Sequence, residues 1–163
     1  MARPLAALLT FAAVLWTAAI FAAPALLAHP AVAAPAAAVY HGSSRICHQR
    51  PERSFHLAGV PMPVCARCAS LYAAGAVGAL LAWGVAARDR TAGARAILLV
   101  AAIPTAATWT LEAAGLMPFS NAARAAAGVP LGLAAGWVFV GMLRYDAARD
   151  AHEIHDGRHA RRA

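Results

Sequence analysis

No lysine occurs in this chain, and only seven of its 163 residues are acidic. Charged residues make up 13% of the sequence against 61% hydrophobic ones, and the mean hydropathy is +0.59. A chain so poor in charge falls outside the soluble range, and membrane spans are the first expectation. Nowhere do apolar and polar residues alternate over strand-length segments, which excludes a transmembrane β-barrel. Cysteine is scarce too: Cys47, Cys65 and Cys68 are the full complement. Ala69, not histidine, follows Cys68, so there is no c-type haem attachment site. His48-Gln49-Arg50 lacks the His-x-Glu of the zinc deaminases.

What is present is apolar length. Four runs, Leu5–Ala28, Ala69–Ala87, Ala96–Leu116 and Ala125–Leu143, reach or approach the ~20 residues that a helix needs to cross ~30 Å of hydrocarbon. Only the third holds a charge, Glu112. The expected fold is all-α: a small polytopic transmembrane bundle of three core spans plus an N-terminal one, with an extramembrane Cys/His loop. Residues 1–28 read as the N-terminal helix, 29–45 as a linker, 46–143 as the loop and three-helix core, and 144–163 as a basic tail. A cleaved signal peptide ending near Ala36-Ala37-Ala38 is the alternative for the first run. That run exceeds the ~7–15 residues of a signal core, so a retained helix is expected.

The net charge of +7 is carried by arginine alone. Arg88, Arg90 and Arg95 crowd the connection between the second and third runs, while Arg144, Arg149, Arg158, Arg161 and Arg162 follow the fourth. The positive-inside rule puts these segments, with Arg3, in the cytoplasm and the Cys/His loop outside a cytoplasmic membrane. Topology thus accounts for arginines that in a soluble protein would suggest nucleic acid, and no nucleic-acid partner is expected. The tail carries His152, His155 and His159, but Gly157 is expected to interrupt the helix that would align them on a metal. The tail reads as a solvated segment facing anionic lipid.

Pro30 and Pro35 suggest an extended connector over His29–Tyr40. Pro61 and Pro63 keep the second half of the loop from being helical, so Cys65-x-x-Cys68 lies at a turn entering the second span. Small residues recur every four positions at Ser70, Ala74, Gly78 and Ala82, and again at Gly128, Gly132 and Gly136. Such ribbons let helix backbones approach closely in lipid. Packing within one bundle is the expected use, and a homo-oligomer seam through Gly128, Gly132 and Gly136 the alternative. Thr105, Thr108 and Glu112 share one face of the third span, which Pro104 is expected to kink. An ionisable group in a membrane helix needs a partner, and Arg53, Arg67 and Arg124 are the candidates for Glu112.

The polar chemistry is concentrated between Cys47 and Cys68. Cys47, Cys65 and Cys68 with one histidine would form a Cys₃His set of the kind zinc takes tetrahedrally. His48 is the first choice for the fourth ligand, with His56 and His41 as the others. A membrane thiol–disulfide oxidoreductase using the same three cysteines is the alternative, since a helix N-terminus and Arg67 both favour thiolate. A structural disulfide is the third reading. Arg53, Arg67 and Arg124, gathered near the N-termini of the second and fourth spans with Glu112 and a capping Ser120 or Asn121, would make a polar pocket. An anion such as a lipid phosphate is the expected ligand there. No nucleophile–base pair is legible, so no reaction is assigned.

Three blocks in this order resemble a known family. They are Cys-His-Gln-x₃-Arg-Ser (Cys47, His48, Gln49, Arg53, Ser54), then Pro-Val-Cys-x-Arg-Cys-x₃-Tyr-x₂-Gly (Cys65, Arg67, Cys68, Tyr72, Gly75). The third is Ser-Asn-x₂-Arg-x₃-Gly-x₃-Gly (Ser120, Asn121, Arg124, Gly128, Gly132). The family is the prokaryotic membrane proteins grouped as domain of unknown function 2085. The resemblance covers roughly Ile46 to Gly141 and implies an integral membrane protein with no established activity. Members often carry Asp-Gly on the third helix, where this chain has Thr108-Trp109; Glu112, one turn on, is the acid that would stand in.

Overall fold

The computed structural model describes residues 2–86 and 91–160, with side chains described for 2–86 and 93–149. Arg88, Arg90, Arg161 and Arg162, and the side chains of His152, His155, Arg158 and His159, lie outside the described residues. Among the described residues five helices run in order: α1 (Ala2–Leu26), α2 (Ala33–Ser43), α3 (Ala66–Leu81), α4 (Thr91–Ala113) and α5 (Asn121–Ala160). A two-stranded hairpin, β1 (His56–Leu57) with β2 (Val60–Pro61), lies between α2 and α3. Among the described residues, four helices are long and apolar enough to cross a membrane, over Ala2–Leu26, Ala66–Gly84, Gly93–Ala113 and Asn121–Arg149. They coincide with the four apolar runs within a few residues. The fold class is the expected all-α membrane bundle.

Alanine dominates these helices, and it is the residue that loses least on entering one. Packing then depends on how closely backbones can approach. The pair α3–α5 is the most extensive contact of the bundle, and glycine makes it possible. A Cβ added at Gly132 would press on the Leu71 carbonyl, whose carbon lies 3.0 Å away; one at Gly128 would lie 2.8 Å from the Arg67 carbonyl oxygen. At Gly136 it would meet Gly75 and Ala79, and at Gly78 it would meet Leu133 and Trp137. The ribbon Gly128, Gly132, Gly136 is therefore occupied by α3 of the same chain. This is the expected packing within one bundle, and α3 carries the matching small residues Ser70, Gly75 and Ala79. Replacing Gly132 by Leu is expected to destabilise the protein by about 3 kcal/mol, the upper end of overpacking costs. Gly93→Ala, on an exposed face of α4, serves as the control. Equal unfolding midpoints in detergent for the two variants would contradict this packing.

Antiparallel order brings opposite halves of α1 to opposite ends of α3. Near one end the Trp83 indole donates to Thr10 Oγ1 at 3.0 Å; near the other Thr17 donates to the Tyr72 carbonyl at 3.2 Å. Trp16 meets Tyr72 edge-on, ring centroids 6.3 Å apart. Arg144 donates to the carbonyls of Ala82 and Val85, and its guanidinium lies 4.9 Å from the centre of the Trp83 ring. It satisfies carbonyls that the end of α3 leaves free. α4 packs chiefly on α5, where Thr105 donates to the Ala127 carbonyl at 2.7 Å.

Two local expectations are corrected. Residues 30–43 form a short 3₁₀ turn, Pro30–Val32, followed by α2, not an extended connector. Pro30 and Pro35 both fall in the first turn of a helix, where no N–H is required of them, and the alanines between and beyond propagate it. Nor does Gly157 end α5, which continues to Ala160; one glycine costs a helix only about 1 kcal/mol.

Candidate functional site

The three cysteines reach one point from three elements. Cys47 follows α2; Cys65 is the residue that precedes α3, with extended backbone, and Cys68 sits in the first turn of that helix. Their sulfurs all lie within 4.8 Å of one another. A tetrahedral zinc with bonds of about 2.3 Å would hold sulfurs roughly 3.8 Å apart, so an ion can seat here with small adjustments. The three are free thiols, and Cys47 and Cys65 are buried. The Cys65 amide donates to the Cys47 sulfur at 3.2 Å. Thiol hydrogen bonds from Cys65 and then Cys68 hold the Cys47 thiol far below its ordinary range, and the same bond to Cys47 pushes Cys65 up. Ile20 of α1, Met62 and Val64 pack around the sulfurs, with Trp16, Phe55 and Tyr72 behind them.

Gln49, whose residue type carries no chemical signal in the sequence, organises this loop. Its backbone is in the left-handed region (φ 49°), and its amide nitrogen donates to the carbonyls of Tyr40 at 2.7 Å and Pro63 at 2.8 Å. Tyr40 in turn donates to the Pro61 carbonyl at 2.6 Å. α2 is thereby joined to the segment that delivers Cys65. The hairpin turns tightly at Ala58 (φ 52°) and Gly59 (φ 79°), the pair of positive φ values of a type I′ turn. The Met62 amide then bonds the Phe55 carbonyl at 2.8 Å.

His48 is not brought to the sulfurs. Its ring is exposed, and its Nδ1 accepts the Arg50 amide at 3.1 Å; neighbouring side chains in a turn point apart. His41 and His56 are exposed as well. Among the described residues, the cluster suited to a metal consists of Cys47, Cys65 and Cys68 alone.

A second polar centre lies at the same end of the bundle. Glu112 of α4 takes Arg67 of α3 on Oε2 at 3.2 Å and Arg124 of α5 on Oε1, with Arg124 Nε at 2.8 Å. The side chains are 5%, 13% and 12% exposed respectively. Arg67 also donates to Thr108 Oγ1 at 3.1 Å, and Arg124 to Asn121 Oδ1 at 2.8 Å. Asn121 passes the connection to the loop by donating to the Ser54 carbonyl at 3.1 Å, while Ser120 caps α5 through the Ala123 amide. Of the three arginines expected at Glu112, two pair with it. Arg53 lines a cavity of about 210 Å³ together with Glu112, Gly115, Met117, Pro118 and Arg124.

The comparisons with known proteins fall on this region. A family model described as "Predicted membrane protein (DUF2085)" matches residues 47–138, from the first cysteine into α5. An uncharacterized protein of Methanothermobacter thermautotrophicus is 32% identical over 88 residues, 54% of this chain and 78% of that protein. Another, from Methanocaldococcus jannaschii, is 38% identical over 88 residues, 53% of this chain and 54% of its own length. The chain thus spans about half the length of the latter. No solved structure matches. The matched span contains every cysteine, both arginines on Glu112 and the glycine ribbon, and the chain belongs to the DUF2085 family of predicted membrane proteins.

Proposed function

We propose that this membrane protein binds zinc through Cys47, Cys65 and Cys68, and that the ion fixes the loop between α2 and α3 as a lid. Beneath the lid, Arg53, Arg67, Glu112, Asn121 and Arg124 form a polar pocket for an anionic ligand. The observation that carries the metal reading is the mutual approach of three sulfurs from separate elements, each within 4.8 Å of the others. Soft thiolates in this number suit zinc, which takes Cys₃ sets with a fourth ligand. His48 reaches that fourth position by releasing the Arg50 amide; otherwise water fills it. The retained first helix is part of this reading, because Ile20 packs in the same cluster as Cys47 and Cys65. So is sidedness: Arg3, Arg95, Arg144 and Arg149 flank the opposite end, which supports a lid outside the cytoplasmic membrane.

One experiment reads both metal and side. All cysteines of the chain lie in or beside the lid, so an impermeant maleimide applied to intact cells reports on this place alone. Little labelling before chelation and near-complete labelling after it is expected. Full labelling without a chelator would remove the metal, and labelling confined to permeabilised cells would reverse the topology.

A further inference from the structure

The arginine pocket has a charge balance that its own residues do not close. Arg67 and Arg124 share the single carboxylate of Glu112, which leaves one positive charge over. Arg53 adds a second. Its half-buried side chain makes no hydrogen bond or ion pair among the described residues, yet it lines the same cavity as Glu112 and Arg124. Glu52, its neighbour, is exposed. The buried Nε of Arg67 also has no hydrogen-bond partner among the described residues, but Arg67 does not line the cavity and adds only its charge on Glu112. The site is therefore short of about two negative charges and of acceptor oxygens.

We infer that this pocket takes a phosphate monoester dianion, with Arg53 as the donor that reaches it from the lid. This rests on the reading of the pocket as an anion site and names the ligand class. A phosphate monoester carries about −1.5 to −2 charge at neutral pH and presents three acceptor oxygens, matching both shortages. Guanidinium groups are the side chains best shaped to pair with it. A carboxylate or a phosphodiester brings one charge only. The volume of about 210 Å³ holds such a group and some water, but not an acyl chain. Beside it the turn after α4 exposes apolar surface: Leu116 is 72% and Met117 52% exposed. A lipid chain leaving the cavity has apolar contact there. Arg53 belongs to the short turn Pro51–Arg53, and Glu112 and Arg124 to the bundle, so the ligand joins lid to bundle.

The test is a titration of the full chain in detergent, with zinc content measured on the same samples. The probes are inorganic phosphate, dihexanoyl phosphatidic acid and dihexanoyl phosphatidylglycerol. Phosphate and phosphatidic acid are expected to compete for one site, with phosphatidylglycerol at least tenfold weaker. Tighter binding of phosphatidic acid than of phosphate identifies a lipid as the source, and equal binding identifies the free ion. Arg53→Gln should weaken both by about tenfold or more, as loss of a charge-assisted donor implies, with zinc content and unfolding midpoint unchanged. Arg53→Lys should recover part of the affinity. Equal affinity for phosphatidylglycerol, or an Arg53→Gln variant that binds as well as the parent, would overturn the assignment. Zinc-loaded protein that binds neither phosphate probe overturns it and leaves the metal reading standing. Phosphate binding by a protein that holds no zinc does the reverse.

Discussion

Cys65→Ser is expected to lose its zinc at concentrations that leave the parent fully loaded, and to unfold at a markedly lower temperature. The serine keeps the size and the position ahead of α3 but offers no thiolate, and two sulfurs do not make a zinc site. Besides the sulfurs, the lid is held by Met62, Val64 and Phe55 packed with Ile20 and Trp16, a hairpin of two residues per strand, the Gln49 and Tyr40 bonds, and the Asn121 link to Ser54. A structural zinc site contributes its binding energy directly to folding, about 10–16 kcal/mol in small zinc peptides. Much of the order of the lid is therefore expected to go with the ion. His48→Ala discriminates at the fourth position. A loss of affinity of tenfold or more assigns that position to His48, and an unchanged affinity assigns it to water. A Cys65→Ser protein that retains one zinc per chain would remove Cys65 from the ligand set.

Glu112→Gln should be the most destabilising single change outside the cysteines. It leaves the charges of Arg67 and Arg124 facing each other with no carboxylate between them, and both side chains are nearly buried. Removing one partner of a buried ion pair costs about 3–5 kcal/mol, because the remaining charge stays desolvated. Here two charges are stranded, so the upper end is expected. The double variant Glu112→Gln, Arg67→Gln should recover part of the loss, since one of those charges goes with it. Unfolding of the three proteins in matched detergent checks this. A Glu112→Gln variant as stable as the parent would mean that the arginines find other acceptors.

Hydropathy located the spans because four uninterrupted apolar runs leave a helix no other solution in lipid. The sulfur cluster was legible from spacing alone, since Cys65 and Cys68 flank the start of a helix and the chain has only one other cysteine. Shared helix faces and the need of a membrane carboxylate for a partner pointed to Glu112 with Arg53, Arg67 and Arg124, of which the last two pair with it. What escaped depends on backbone detail. Pro30 and Pro35 read as breakers, but both stand in first turns, where proline is tolerated. The hairpin was hidden because its strands are two residues long and its turn is Ala58-Gly59, with a residue at positive φ that the type I′ signal does not favour. Adjacency to Cys47 suggested His48 as a ligand, yet the turn at Gln49 and the Arg50 amide hold its ring outward. Gln49 itself carried no chemical signal, since a positioning amide looks like any other until its two carbonyl partners are in place.

The most direct measurement is bound metal per chain and free thiols on protein purified without oxidation. One zinc per chain, with three thiols that become reactive only on chelation or unfolding, is the predicted result. A metal-free chain with two of its three cysteines joined in a disulfide would contradict it, and would turn the cluster into a staple or a redox pair.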